Sequence, residues 1–282
     1  MRFGFHVSIA GSLDKSVDRA KGLGCSTFQI FTRNPRGWAF SDLDAVVAST
    51  FRGKLAESGI APVLDHMPYL PNLASANGEV YGKSVKALKA ELKRCDTLGV
   101  PYLVTHLGSH LGAGAEEGRR RLIRALASTL ADAEAGCMVL LENTAGQKNS
   151  LGTTFEDLAA IMDGISHPDR IGFCFDTCHA VGSGYDLRRR GTRILDELEE
   201  VIGLERLKAV HLNDSKGGLG SHLDRHEHIG MGAIGEDGFR TLLHDGRLRA
   251  IPMIMETPLD ARRDDRGNLS KALELAGDGP SA

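Results

Sequence analysis

The chain has 282 residues, of which 41% are hydrophobic, and a formal net charge of −3. This length excludes a small disulfide-stabilised module and fits one large α/β domain. The near-neutral charge argues against a protein that holds DNA mainly through a large basic surface, so we expect any contact with nucleic acid to be local. Bound divalent cations would supply local positive charge.

The five cysteines indicate a reducing environment, because their number is odd and they show neither a CxxC pair nor the spacing of a secreted disulfide framework. The N-terminal sequence MRFGFHVSIAGSL lacks the cationic leader and the cleavage site of a signal peptide. No segment is apolar enough to span a bilayer. We therefore expect a cytoplasmic protein without a membrane partner.

Short apolar segments, rich in β-branched and aromatic residues, alternate with longer segments that have helical periodicity. In chain order the eight apolar segments are FGFHVS, STFQIF, APVLDH, PYLVTH, CMVLLEN, IGFCFDT, LKAVHLND and IPMIMET. Residues 82–98 and 116–135 are two of the longer segments, and their apolar positions at three- and four-residue spacing predict amphipathic helices.

Strands that alternate with helices predict a parallel sheet, and eight such units are the number that closes a barrel. We therefore predict an α/β fold that consists of a single (β/α)8 barrel, or TIM barrel, over residues 1–276 and a disordered tail over residues 277–282. A doubly wound open sheet is the alternative, but the GxGxxG turn that usually follows one of its early strands is missing. In a barrel, the active site lies at the C-terminal ends of the strands.

Polar side chains stand at the C-terminal ends of most predicted strands. A buried parallel strand should be apolar throughout, so a charged or imidazole side chain at its last position needs a separate reason. The strand-end residues are His66, His106, Glu142, Asp176, His211 and Glu256, with His6 near the end of the first strand. Because these ends converge on one face of a barrel, we expect the side chains to share one pocket.

Two short motifs add further candidate metal ligands. In DTCH, Asp176 and His179 lie across a tight turn, and in DRH, Asp224 and His226 are alternate residues whose side chains point to the same side of an extended backbone. Divalent metals stabilise neutral imidazole and ionised carboxylate together, whereas these groups alone would repel one another or change protonation. Imidazole and carboxylate ligands without thiolate favour zinc, with manganese or ferrous iron as alternatives.

The ordered motifs of the chain resemble those of the endonuclease IV family of zinc-dependent apurinic/apyrimidinic endonucleases. The resemblance extends through GFHVSIAGS, RNPRGW, HMPYLPNLAS, HLGSHLGAG, LLENTAGQ, FDTCHAVGSGYDL, HLNDSKGGLGSHLDRHEHIG and IMETP. It implies a phosphoric-diester hydrolase of base excision repair that cuts the DNA backbone 5′ to an abasic site and leaves a 3′-hydroxyl and a 5′-deoxyribose phosphate. The implied partner is double-stranded DNA containing abasic sites. We expect a monomer without an obligate protein partner.

The resemblance also implies that nine ligands hold three Zn²⁺ ions, with Mn²⁺ as the alternative at one or more sites. The ligands are His66 and His106 for the first metal, Glu142 as its bridge to the second, Asp176, His211 and Glu256 for the second, and His179, Asp224 and His226 for the third. Glu142 and Glu256 are the predicted catalytic carboxylates.

Four further residues complete the predicted site. The resemblance implies that Arg36 in RNPRGW and Tyr69 in HMPYLPNLAS enter the DNA at the lesion and open the base stack. We expect His6 and His110 to hydrogen-bond to ligand side chains and orient them. In HLGSH, His110 would orient His106 in this way.

Two other functions compete with a nuclease. A sugar isomerase or epimerase on the same barrel would hold one divalent ion with Glu142, Asp176, His211 and Glu256 alone. The five other candidate ligands argue against it, because a single-metal enzyme does not need them. A DNA-binding module without catalytic activity has no use for a metal with an open coordination position.

Overall fold

Eight parallel strands form a closed barrel. A computed structural model describes residues 1–39, 41–132 and 136–278 of the chain. The barrel strands are β1 (Arg2–Phe5), β2 (Phe28–Ile30), β3 (Val63–His66), β4 (Tyr102–His106), β5 (Met138–Glu142), β6 (Ile171–Asp176), β7 (Leu207–His211) and β10 (Pro252–Met255). They are hydrogen-bonded in the order β1-β10-β7-β6-β5-β4-β3-β2. Every predicted strand is confirmed, and so is the (β/α)8 barrel.

Helices surround the strands, and a short ribbon follows β7. The helices are α1 (Lys15–Leu23), α2 (Ala45–Ser58), α3 (Gly78–Leu98), α4 (Ala115–Asp132), α5 (Phe155–Asp163), α6 (Thr177–Ser183), α7 (Leu187–Val201), α8 (Gly235–Leu243) and α9 (Asp265–Ala276). The ribbon consists of β8 (Asp214–Ser215) and β9 (His226–Glu227), which pair antiparallel. No helix within the described residues is both long and apolar enough to cross a membrane.

Helix ends follow local capping chemistry. Helix α3 begins four residues earlier than the sequence periodicity predicts, because the Asn77 side chain accepts hydrogen bonds from the backbone N–H groups of Glu79 and Val80. The same helix ends at Gly99, which adopts the left-handed conformation with φ of 71°. For the predicted helix 116–135, residues 133–135 lie outside the described part of the chain.

The inside of the barrel contains an apolar layer directly below the strand ends. One buried residue from each of six strands contributes to this layer, and the residue two positions further along the same strand is a predicted ligand. The pairs are Leu64 and His66, Val104 and His106, Leu140 and Glu142, Cys174 and Asp176, Ala209 and His211, and Ile254 and Glu256. Side chains alternate along a strand, so residues two apart point to the same face. The ligand side chains therefore also point into the barrel, one level closer to the strand ends than the apolar layer.

The predicted tail, residues 277–282, begins directly after α9. Gly277 ends that helix with φ of 74°, and Asp278 Oδ2 accepts a hydrogen bond of 2.8 Å from the N-terminal ammonium group of Met1. Residues 279–282 lie outside the described residues. The boundary between the barrel and a disordered tail stays a prediction.

The first and second strands close the barrel at a narrow seam. The backbone N–H of Val7 donates to the Gln29 carbonyl (2.8 Å), and the N–H of Ser26 donates to the Phe3 carbonyl (2.9 Å). Gly4 lies between these contacts, and a Cβ atom placed on it would lie 1.6 Å from the carbonyl oxygen of Thr27. The close approach of the two backbones therefore requires glycine at this position.

We expect Gly4→Ala to lower the free energy of unfolding by about 3 kcal/mol or more, because backbone atoms rather than a flexible side chain must move to admit the methyl group. Chemical denaturation measures the change. The matched control is Gly53→Ala in α2, where a new Cβ meets no atom within 4 Å. That helix-interior change should raise stability by about 0.5–1 kcal/mol. Equal stability of the two variants would show that the seam tolerates a side chain.

Candidate metal centre

The predicted ligands meet at the C-terminal mouth of the barrel, around a cavity of about 600 Å³. Three groups of donor atoms lie within 4.8 Å of one another among the described residues. These groups are His66, His106 and Glu142; Glu142, Asp176 and His211; and Asp176, His179 and His226. Glu142 is shared by the first two groups and Asp176 by the last two, so the groups form one continuous centre.

Glu142 connects the first group to the second through its two carboxylate oxygens. Oε2 lies 3.3 Å from Nε2 of His66 and 3.7 Å from Nε2 of His106. Oε1 lies 3.0 Å from Nδ1 of His211. The His66 ring donates from Nδ1 to the Met67 carbonyl oxygen (2.7 Å), which leaves the lone pair of its Nε2 directed into the centre.

The second group includes Glu256 as well. Its Oε2 lies 3.5 Å from Nδ1 of His211, and Oδ2 of Asp176 lies 3.8 Å from the same nitrogen. Asn213 holds both carboxylate residues: its amide Nδ2 donates to Asp176 Oδ2 (2.9 Å), and its Oδ1 accepts from the backbone N–H of Glu256 (2.8 Å). The second predicted ligand set is thus gathered in one place.

The third group lies beside α6 and the ribbon. The ring of His179 donates from Nδ1 to the Asn143 carbonyl (2.9 Å), and that of His226 donates from Nδ1 to the Glu256 carbonyl (3.1 Å). The Nε2 atoms of both rings are buried and have no hydrogen-bond partner among the described residues. They lie 3.2 Å and 3.5 Å from Asp224 Oδ1 without the geometry of a hydrogen bond. Orphaned imidazole nitrogens beside a carboxylate oxygen fit a metal ion.

Two carboxylates of the centre, those of Glu142 and Glu256, have a pKa well below the ordinary value. Burial alone would raise the pKa of Glu142, but the imidazoles of His106 and His211 hold that pKa well below its ordinary value. Desolvation at the barrel mouth would likewise raise the pKa of Glu256, and His211, His6 and their neighbours hold it well below the ordinary value. Ionised carboxylates in this position need cationic partners.

Without a metal ion, imidazolium groups would have to supply that charge. Burial would lower the pKa of His179, but the carboxylates of Asp176, Asp224 and Glu142 raise it well above the ordinary value. Divalent cations satisfy the same carboxylates while leaving the imidazoles neutral, as ligands must be. The donor set therefore fits bound metal.

The two predicted DNA-contacting residues lie on neighbouring loops at the rim. The side chain of Tyr69 is 63% exposed, and its ring meets that of Phe31 edge-on with 5.2 Å between the ring centroids. Arg36 is exposed on the loop that follows β2. The backbone N–H of Tyr69 donates to the Pro35 carbonyl (3.2 Å), which ties the two loops together.

The two predicted supporting histidines have different surroundings. His6 lines the cavity, and its Nδ1 lies 3.1 Å from Oε1 of Glu256. His110 lies in the loop after β4, where its Nδ1 accepts hydrogen bonds of 3.2 Å from the backbone N–H groups of Gly112 and Gly114. These hydrogen bonds stabilise the loop. That His110 orients the ligand His106 stays a prediction.

Three amides that contact the ligands were missed by the sequence analysis. Gln29 and Asn213 bond directly to ligand side chains. Asn143 donates from Nδ2 to the backbone carbonyl of Asp176 (2.9 Å) and accepts from its N–H (2.7 Å). A polar amide within or directly after an apolar strand segment is the feature that could have identified them. The three segments are STFQIF, LLEN and HLND.

A second cavity of about 550 Å³ adjoins the first and shares Tyr69, His106 and Asp224 with it. Its wall also includes the polar loop residues Gln147 and Lys148. The two cavities make a trough that passes over the metal centre.

Known proteins are similar to this chain in both fold and sequence. Residues 17–276 match the family model of the xylose isomerase-like TIM barrel. The protein named Probable endonuclease 4 of Methanoculleus marisnigri is 58% identical over 277 residues, which cover 97% of this chain and 98% of that protein. The crystal structure of endonuclease IV from Thermus thermophilus is 38% identical, with a TM-score of 0.88 and coverage of 99% and 100%. A D-tagatose 3-epimerase-like protein, at 21% identity, TM-score 0.73 and 99% coverage of each chain, shows the fold alone. The chain belongs to the endonuclease IV family.

Proposed function

We propose that this protein is a DNA repair endonuclease that hydrolyses the phosphodiester 5′ to an abasic site in double-stranded DNA. The products are a 3′-hydroxyl and a 5′-deoxyribose phosphate, as base excision repair requires. The observation that carries this proposal is the continuous centre of three donor groups beneath an open trough. A sugar isomerase would bind one metal ion in the second group only. The buried Nε2 atoms of His179 and His226 in the third group would then bind neither a metal ion nor a hydrogen-bond partner among the described residues.

The proposed cofactor is three Zn²⁺ ions, with Mn²⁺ as the alternative at one or more sites. The ligand sets are His66, His106 and Glu142; Glu142, Asp176, His211 and Glu256; and His179, Asp224 and His226. Cys178 supplies no thiolate, because its Sγ faces the carbonyl oxygen of Arg225 (3.6 Å) and burial raises the pKa of the thiol to about 12. Bound zinc provides Lewis acidity and lowers the pKa of a coordinated water to about 7.

The exposure of the ligands indicates where the scissile phosphate binds. The side chains of His106 and Asp224 are 42% and 37% exposed, whereas those of His66 and His179 are 4% and 3% exposed. A phosphate in the trough would therefore reach the centre between His106 and Asp224. Glu142 and Glu256 act as the catalytic carboxylates by holding the charge of the centre in place during the reaction.

Binding of DNA must be local, because the chain carries a net charge of −3. Positive charge beside the trough comes from Lys148, which lines its second part, and from Arg225, which lines the first. Arg36 and Tyr69 would enter the duplex and fill the space that the missing base leaves. We further propose that the protein acts as a monomer in the cytoplasm, without an obligate protein partner.

We expect the zinc-loaded protein to nick a duplex that carries one abasic site, with a single incision 5′ to the lesion. Gel analysis of a labelled strand measures the reaction, and prior chelation should abolish it, because the proposed ions would supply the Lewis acidity of the centre. Conversion of sugars with no cutting of DNA would favour the isomerase instead.

The matched variants for this test are Glu142→Gln and Glu79→Gln. A neutral amide at position 142 would offset none of the charge of bound cations, so cleavage should fall by at least about a hundredfold, which corresponds to about 2.7 kcal/mol of transition-state stabilisation. Glu79 is 75% exposed on α3 and its variant should cut normally. Near-normal turnover by Glu142→Gln would remove this carboxylate from the catalytic centre.

Removal of metal should also lower the melting temperature, by at least about 5 °C, because bound ions stabilise the folded state and the carboxylates lose their partners. Differential scanning calorimetry before and after chelation measures the shift, and added zinc should restore it. Elemental analysis should give about three zinc equivalents per chain. Identical melting curves with and without chelator would contradict a metal centre that is part of the fold.

The double variant Tyr69→Ala, Arg36→Ala should bind abasic duplex much more weakly while its affinity for undamaged duplex changes little. Inserted side chains offset the cost of unstacking, which amounts to a few kcal/mol, only where a base is missing. Binding of both duplexes is measured at one salt concentration, since phosphate contacts are strongly salt-dependent. Zinc content should stay unchanged. Equal losses on the two duplexes would mean that these residues contact only the DNA backbone.

A further inference from the structure

A single buried amide, that of Gln29, joins two ligands of the second group. Gln29 lies in β2 and is fully buried. Its Oε1 lies 2.9 Å from Nε2 of His211, and its Nε2 lies 2.9 Å from Oε1 of Glu256. The same amide nitrogen lies 2.9 Å from Nδ1 of His6.

The chemistry of these partners determines the orientation of the amide. A carboxylate only accepts hydrogen bonds, so the NH₂ group of Gln29 must face Glu256, and the carbonyl oxygen must then face His211. The Nε2 atom of His211 therefore carries a proton. Its Nδ1, which lies 3.0 Å from Glu142 Oε1, is then the nitrogen that would face a bound metal ion.

The same amide also orients the carboxylate of Glu256. Oε1 of Glu256 accepts from Gln29 and lies beside His6, whereas Oε2 lies 3.5 Å from Nδ1 of His211. One residue thus directs one donor atom of each of two ligands toward the same point.

We propose that Gln29 is a positioning residue that sets the imidazole tautomer of His211 and the carboxylate rotation of Glu256 at the second metal site. This inference rests on the proposed three-metal centre. It concerns the second site, because three histidines of the other two groups are held instead by backbone carbonyls: His66 by Met67, His179 by Asn143 and His226 by Glu256.

The test is zinc retention by the zinc-loaded full chain. Gln29→Met keeps the length of the side chain and removes both polar atoms. Its matched control is Thr27→Val, because Thr27 is also buried, precedes the same strand and loses only a hydrogen bond to the Pro62 carbonyl. Each protein is challenged with rising concentrations of a zinc chelator, and the zinc that remains bound is measured.

We expect Gln29→Met to release one zinc equivalent at a chelator concentration about 10–100-fold lower than the wild-type protein does, since loss of a partner that orients ligands weakens metal affinity by about that factor. The other equivalents, and all those of Thr27→Val, should be released as in the wild type. Gln29→Glu provides a second variant if the methionine variant does not fold. It keeps an acceptor for His211 but loses the donor to Glu256, so one equivalent should again be weakened.

Two results would overturn this inference and leave the proposed metal centre standing. The first is an unchanged release profile in the Gln29 variants, and the second is an equal weakening of all equivalents together with a lower melting temperature, which would indicate a merely structural role. Wild-type protein that retains no zinc would overturn the proposed metal centre and this inference with it. An unchanged profile of the variants overturns this inference alone.

Discussion

Charge balance at the mouth of the barrel is the constraint on which the site depends. The nine predicted ligands there are four carboxylates and five imidazoles, with His6 beside them, and Glu142 is almost completely buried. Such carboxylates are stable only beside positive charge, which either protons or metal ions can provide. Protons convert the histidines into cations that bind no metal, so the two solutions exclude each other. The Met67 and Asn143 carbonyls accept from Nδ1 of His66 and His179, so Nε2 is the nitrogen of each ring that remains to bind a metal ion.

The barrel brings this charge together without disturbing its own core. Each strand-end ligand stands two residues beyond an apolar side chain of the interior layer, as His66 does beyond Leu64. The apolar layer closes the barrel from below, and the ligands occupy the next level, where the strands end and water can enter. The polar cluster therefore lies above the apolar layer of the barrel rather than within it.

Much of this arrangement could be predicted from the sequence, because both the strands and their terminal polar residues are local features. The eight apolar segments located the strands, and polar ends such as Glu142 and His211 indicated the site. The roles of Gln29 and Asn143 could not be predicted in the same way, because their partners lie on other strands and depend on the register of the barrel. The sharing of Asp176 between two donor groups is likewise a property of three-dimensional proximity.

The order of the strands along the chain determines when the second donor group can be complete during synthesis. His6 directly follows β1, Gln29 lies in β2, and Glu256 directly follows β10, which pairs with β1 across the whole length of the chain. A nascent chain grows from its N-terminus, so the early half-barrel holds His66 and His106 long before Glu256 emerges. The second group is consequently the last to be completed, because Glu256 follows β10, the last strand of the barrel. All four residues of that group therefore come together only after the chain has been synthesised through β10.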